Sequence, residues 1–243
     1  VSADASVTDE LTNQIFWFAL AWAFGGMLET PEREKLDASF IRQHCKSIPT
    51  TENTTIYDYK LNVKTGQWEH WNKFVDKWKY PGDDRLDFST LFIPTLDSVR
   101  AQYIIQCGFL QRKPMLLMGV SGTAKTVTLE KFLARIKFAD PRMQDCNYRK
   151  ISFSSMTAPQ NFYNAVDDMV EKMGPNFGPK GGGQLAIFID DINMPDINNW
   201  GDQVTNELVR QIIESMEYYS LEKGAAGDKK RLRYLLFCGA MSH

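Results

Sequence analysis

The sequence predicts an α/β fold built on a parallel sheet, and three observations carry that prediction. From Leu91 onward, short apolar runs alternate with stretches whose apolar residues recur at helical spacing. The runs are too short for helices and end in glycine or polar residues, the pattern of strands buried on both faces. A glycine-bearing motif with a lysine at its end joins the first run to the first of these helices. With 243 residues and 43% hydrophobic content, the chain can form one large domain, or one domain plus part of another.

The elements follow in order. Leu11, Ile15, Phe18, Ala19 and Trp22 recur as one face of a first helix, which Gly25-Gly26 interrupts. Thr30 is placed to cap a second helix, with Pro31 in its first position, Glu32 in its first turn, and Leu36 and Phe40 on one side. From Ile56 the period becomes two. Tyr57, Tyr59, Leu61 and Val63 alternate with polar residues before a Lys64-Thr65-Gly66 turn and Trp68 and Trp71, which reads as a hairpin. Tyr80 to Asp87, rich in Pro, Gly and Asp, reads as a boundary. The α/β part then runs as strand Met115–Met118, helix with Leu129, Phe132, Leu133 and Ile136, and strand Tyr148–Phe153. It continues as helix with Phe162, Val166, Met169, Val170 and Met173, strand Leu185–Ile189, helix with Leu208, Val209, Ile212, Ile213 and Met216, and strand Tyr234–Cys238.

Between the first of these strands and its helix stands Gly119-Val120-Ser121-Gly122-Thr123-Ala124-Lys125-Thr126, a P-loop (G-x-x-x-x-G-K-[ST]) with Ala124 in place of the last glycine. Consecutive backbone N–H groups of such a loop, with the helix N-terminus behind them, converge on phosphates. Lys125 can reach the β- and γ-phosphates, and the Thr126 hydroxyl can hold Mg²⁺. The Cβ of Ala124 crowds backbone that must approach phosphate closely. The strand Leu185-Ala186-Ile187-Phe188-Ile189 ends in Asp190, a Walker B carboxylate suited to the magnesium shell. Asp191 occupies the position of the general base that orients water. Its side chain is one methylene shorter than the glutamate usual there, so tight binding and slow hydrolysis are expected. A capping or solvated acid remains the other reading of Asp191.

Other features carry less. The net charge of −2 implies no polyanion partner, and the basic cluster Lys229, Lys230, Arg231 and Arg233 reads as a solvated loop or hairpin face rather than a nucleic-acid site. Gly181-Gly182-Gly183 reads as a turn feeding a strand. Trp68, Trp71 and Trp78 read as packing. Cys45, Cys107, Cys146 and Cys238 lie far apart and read as reduced, mostly buried thiols, and three histidines are too few for a metal cluster. The longest apolar stretch, Ile15 to Leu28, is too short to cross a bilayer, and the N-terminus has no signal-peptide pattern, so no membrane association is expected. Ser154 or Ser155 stands where a polar residue could tether the catalytic acid, though strand-end polarity accounts for them equally well.

Several runs resemble the third AAA+ module of axonemal dynein heavy chains. These are Ile93-Pro94-Thr95-Leu96-Asp97-Ser98-Val99-Arg100, Asp190-Asp191-Ile192-Asn193-Met194-Pro195, Trp200-Gly201-Asp202-Gln203, Leu208-Val209-Arg210-Gln211, and the closing Cys238-Gly239-Ala240-Met241-Ser242-His243. Ala124 and Asp191 are themselves typical of axonemal versions. The wording from Gly201 to Gln211 is most like gamma-type outer-arm chains. The resemblance implies an AAA+ large subdomain over residues 89–243, with a fifth strand lying beyond the chain. Ahead of it would come the helical end of the preceding module's small subdomain (1–48) and a hairpin connector (49–88). It further implies that Pro94 and Thr95 lie against adenine with Val127 flanking it, and that ATP or ADP with Mg²⁺ occupies the site. The module would gate a ciliary or flagellar microtubule motor of the cytoskeleton rather than power it. The implied partners are neighbouring AAA+ modules of the same heavy chain, dynein intermediate and light chains, and microtubules bound through domains elsewhere. A structural ring spacer with a degenerate site and an independent AAA+ remodelling ATPase are the alternatives.

Overall fold

A computed structural model describes residues 9–79, 82, 91–220, 224 and 227–242. The boundary expected over Tyr80 to Asp87 falls almost entirely outside the described residues, as does His243 of the closing run. Contacts divide the chain into two compact units, Val1–Arg100 and Ala101–His243.

The first unit opens with α1 (Asp9–Gly25) and α2 (Thr30–Leu36), then a π-turn (Asp37–Ile41) and a last helical turn, α3 (Arg42–His44). The buried face of α1 is Gln14, Trp17, Ala21 and Gly25. Ile15 and Ala19 are exposed, so the expected stripe is rotated: Trp17 forms the centre and packs with Ala21, Ile41, Cys45, Ile48, Ile56 and Tyr57. The cap of α2 is Glu29 rather than Thr30, and Thr30 is already helical; with Pro31 behind it, the chain enters the helix one residue early. A buried carboxylate organises the turn that follows. Asp37 accepts from Arg42 Nε (2.5 Å) and from the Ile56 N–H (3.1 Å), while the same guanidinium donates to the carbonyls of Pro49 and Thr54. Ile56–Asp58 is a 3₁₀ turn closed by a Thr55/Asp58 capping box, so the strand begins at Tyr59 and not at Ile56. The hairpin then forms from β1 (Tyr59–Asn62) and β2 (Gln67–His70), and Trp71 is buried in the next 3₁₀ turn.

The helix α4 (Leu96–Leu110) leads into the second unit. There follow β3 (Met115–Met118), α5 (Lys125–Ala134), α6 (Ile136–Ala139), β4 (Cys146–Ser152), α7 (Pro159–Asp167), β5 (Val170–Met173), β6 (Asn176–Pro179) and β7 (Gln184–Asp190). The last elements are α8 (Val204–Ser215), β8 (Glu217–Tyr219), β9 (Lys229–Arg231) and β10 (Leu235–Met241). The α/β expectation is met: four strands form one parallel sheet in the order β3-β10-β7-β4. Because side chains alternate along a strand, each central strand feeds two cores. Ala186 and Phe188 of β7, with Leu236, Cys238 and Ala240 of β10, pack with Leu129, Phe132 and Leu133 of α5 and with Ile105 and Phe109 of α4. Leu185, Ile187 and Ile189, with Leu235 and Phe237, pack with Phe162 and Val166 of α7 and Val209 and Ile212 of α8.

One expected helix is shorter than its apolar spacing indicates. α7 stops at Asp167, and Val170 and Met173 belong instead to a hairpin, β5 with β6. The reason is Gly174-Pro175. Gly174 sits at φ +61° in the first position of a two-residue loop, where glycine is at ease, and proline cannot continue a helix. Lys229, Lys230 and Arg231 of the basic cluster lie on a third hairpin, β8 with β9, where Lys229 and Arg231 both meet Glu217. Cys45, Cys146 and Cys238 are buried and Cys107 is exposed, none of them in a disulfide; burial pushes Cys146 up to about 11 and raises Cys238 as well. Among the described residues, no helix is long and apolar enough to cross a membrane.

Candidate nucleotide and magnesium site

A parallel sheet places the C-terminal ends of its strands along one edge, where ligands of open α/β folds bind. Register puts Met118 beside Met241 and Ser152 beside Asp190, so the P-loop, the Walker B acid and the end of β10 share that edge. The loop itself leaves β3 at Gly119 and enters α5 at Lys125. Gly122 takes φ +81° and Ala124 takes φ +58°, so the loop contains two left-handed residues, of which only one is glycine. Val120, Ser121, Gly122, Thr123 and Ala124 are exposed, and Gly119, Lys125, Thr126 and Val127 are partly covered. The Thr123 hydroxyl donates to the Val120 carbonyl at 2.8 Å and braces the turn. Lys125 folds over the same loop, donating to the carbonyls of Gly119 (2.9 Å) and Val120 (2.6 Å).

One residue further on, Thr126 Oγ1 donates to Asp190 Oδ1 at 2.8 Å. A hydroxyl and a nearly buried carboxylate thus stand together at the start of a helix, both hard oxygen donors of the kind magnesium accepts. The residues fit the ion. Among the described residues there is no group of three or more His, Cys, Asp or Glu that could hold a metal ion.

Asp191 follows with φ +53° and is exposed; its carbonyl accepts from Met194 N–H, and the next N–H, of Ile192, is donated to Ala240 on β10. Ser154 is joined to Thr157 through its backbone N–H (2.8 Å) and hydroxyl (3.3 Å), and Ser155 is exposed. Pro94 and Thr95 lie in the first unit directly ahead of α4. There Thr95 N–H donates to Ser98 Oγ (2.9 Å) and Ser98 N–H donates to Thr95 Oγ1 (3.2 Å), a reciprocal helix cap.

The structure adds residues that the sequence reading missed. Lys150 of β4 donates to Asp190 Oδ2 (2.9 Å) and to Glu130 Oε1 on α5 (2.8 Å). Burial works against its charge, yet hydrogen bonds to Glu130 and Asp190 outweigh it and hold the ammonium above the ordinary lysine value. Gln203 donates to the carbonyls of Asn193 (3.1 Å) and Pro195 (2.8 Å), and Asn193 Oδ1 accepts the Ser242 N–H (3.3 Å). The loop after the Walker B strand is thereby tied to α8 and to the end of β10.

Comparison with known proteins gives the family. Residues 80–243 match the family described as P-loop containing dynein motor region, and residues 2–73 match the dynein heavy chain AAA lid domain. The chain belongs to the dynein heavy chain family. This dynein segment is 40% identical over 240 residues to Dynein axonemal heavy chain 8 of Homo sapiens, covering 96% of the segment and 5% of that protein. It is 37% identical over 244 residues to the Dynein gamma chain, flagellar outer arm, of Chlamydomonas reinhardtii, covering 99% and 5%. Dynein axonemal heavy chain 5 of Mus musculus is 35% identical over 242 residues, covering 98% and 5%. The segment therefore spans one small part of the relatives it matches.

Proposed function

We propose that this dynein segment is a regulatory nucleotide-binding module, the third of an axonemal motor ring, and that it holds ATP or ADP with Mg²⁺. The carrying observation is the 2.8 Å bond between Thr126 and Asp190 beneath a loop whose lysine already reaches across it. Backbone N–H groups from Ser121 to Thr126 grip the phosphates, with the N-terminus of α5 behind them. Lys125 exchanges two loop carbonyls for phosphate oxygens. Val127 flanks the adenine. Thr126 and Asp190 hold the magnesium shell; the ion, when bound, neutralises charge on the phosphates.

Hydrolysis is slow on this reading. Asp191 is one methylene short of the usual base, and a misplacement of about 1 Å costs on the order of a hundredfold in rate. A site that binds well and turns over slowly suits gating of another module. Its neighbours are the adjoining AAA+ modules of the same heavy chain; intermediate and light chains and microtubules engage other parts, within a ciliary or flagellar axoneme. Lys125→Ala in the whole motor tests the reading through nucleotide occupancy and microtubule gliding. Loss of occupancy with altered gliding is expected, and no change in either overturns it in favour of a structural spacer.

A further inference from the structure

We propose that Lys150 is a built-in counter-ion of the Asp190 carboxylate that competes with magnesium for it, so that this site holds the metal more weakly than an unpaired Asp190 would. The inference rests on the nucleotide reading above. Its basis is register. Ser152 pairs with Asp190 and Lys150 pairs with Phe188, so Lys150 stands on the same sheet face as Asp190, one diagonal step away. Its stem crosses the Phe188 ring, with Nζ 5.5 Å from the centroid, and its ammonium lands 2.9 Å from Asp190 Oδ2. The other oxygen, Oδ1, accepts from Thr126. Both oxygens of the magnesium-holding acid are therefore engaged by the chain itself.

The environment makes that pairing matter. The Asp190 side chain is 7% exposed and that of Lys150 31%, so the pair is only partly screened by water. A divalent ion drawn to Asp190 meets a positive charge already on the same carboxylate, and the two repel. Glu130 supplies an exit. It holds Lys150 at 2.8 Å from the α5 side, so the ammonium keeps a partner when it gives up Asp190. Glu130 and Asp190 thus divide one lysine between them, and the share that Asp190 gets sets how strongly the site calls for metal.

The test follows retention of a fluorescent ADP analogue by the full chain while magnesium is titrated against EDTA, in wild type, Lys150→Gln and Glu130→Gln. Lys150→Gln frees Asp190 and lowers the half-saturating magnesium concentration by roughly three- to tenfold, the range of one partly buried charge pair. Glu130→Gln gives Lys150 wholly to Asp190 and raises it. A general loss of structure would not move the two variants in opposite directions. Retention with an unmoved half-point in Glu130→Gln overturns the counter-ion role and leaves the nucleotide reading standing, and that variant alone decides the matter if Lys150→Gln does not fold. Failure of wild type to retain the analogue at any magnesium level overturns the nucleotide reading, and the counter-ion role with it.

Discussion

At Ala124 the backbone turns left-handed, φ +58° and ψ +26°, one residue before α5 begins. A residue with a Cβ loses about 1–2 kcal/mol in that region, against roughly 0.5–1 kcal/mol of extra chain entropy that glycine would lose on folding. Ala124→Gly should therefore stabilise the chain by about 0.5–1 kcal/mol in urea unfolding, and an equal loss would show that the loop is not strained there. Asp191 is also left-handed, at φ +53°, a conformation that aspartate tolerates better than most residues. Asp191→Glu restores the missing methylene and should raise turnover about tenfold or more with nucleotide affinity little changed. Measured single-turnover rates check this; an unchanged rate would remove Asp191 from the chemistry. Both departures from the usual motif are visible as letters. Their positive φ is not, because it is set by how the loop closes between β3 and α5 and how β7 hands over to its own turn.

Among the elements, the two hairpins beside the sheet depend on one carboxylate. Asp167, at the end of α7, accepts from Lys230 Nζ (2.7 Å) and Tyr218 Oη (2.6 Å), and the Lys230 ammonium also lies 5.3 Å from the Phe177 ring centre. Burial pushes the Asp167 pKa up, but the bonds from Lys230 and Tyr218 outweigh it and leave the group below its ordinary value. A depressed carboxylate adds stability that is fully present above its unfolded pKa of about 3.9 and disappears as pH falls through the lower folded value. Asp167→Asn should cost about 1–3 kcal/mol at neutral pH and shrink the acid limb of the stability curve below about pH 4. Identical acid limbs in the two proteins would contradict it. The hairpin next to this contact was legible in Met173-Gly174-Pro175-Asn176, a turn signal. The apolar residues Phe162, Val166, Met169, Val170 and Met173 also fit a helix, and their longer-range period masks the turn. The α1 stripe was misread for a related reason: Gln14 and Gly25 are buried there by packing partners that hydropathy does not report.

For the molecule as a whole, the parallel sheet and the loop at its edge were readable because each rests on local pattern: apolar run, glycine, lysine, helix. The strand neighbours were not, since β10 inserts between β3 and β7 although it comes last in the chain. Lys150 was invisible for the same reason. A one-residue slip of β4 against β7 would turn its side chain to the opposite face, so only the register joins it to Asp190. The proposed function requires that the edge formed by β3, β7 and α5 hold a nucleotide. Nucleotide released on denaturing the purified motor, counted by chromatography, measures that directly. Wild type should release more than Lys125→Ala by about one equivalent per chain. Equal release from the two would contradict the account.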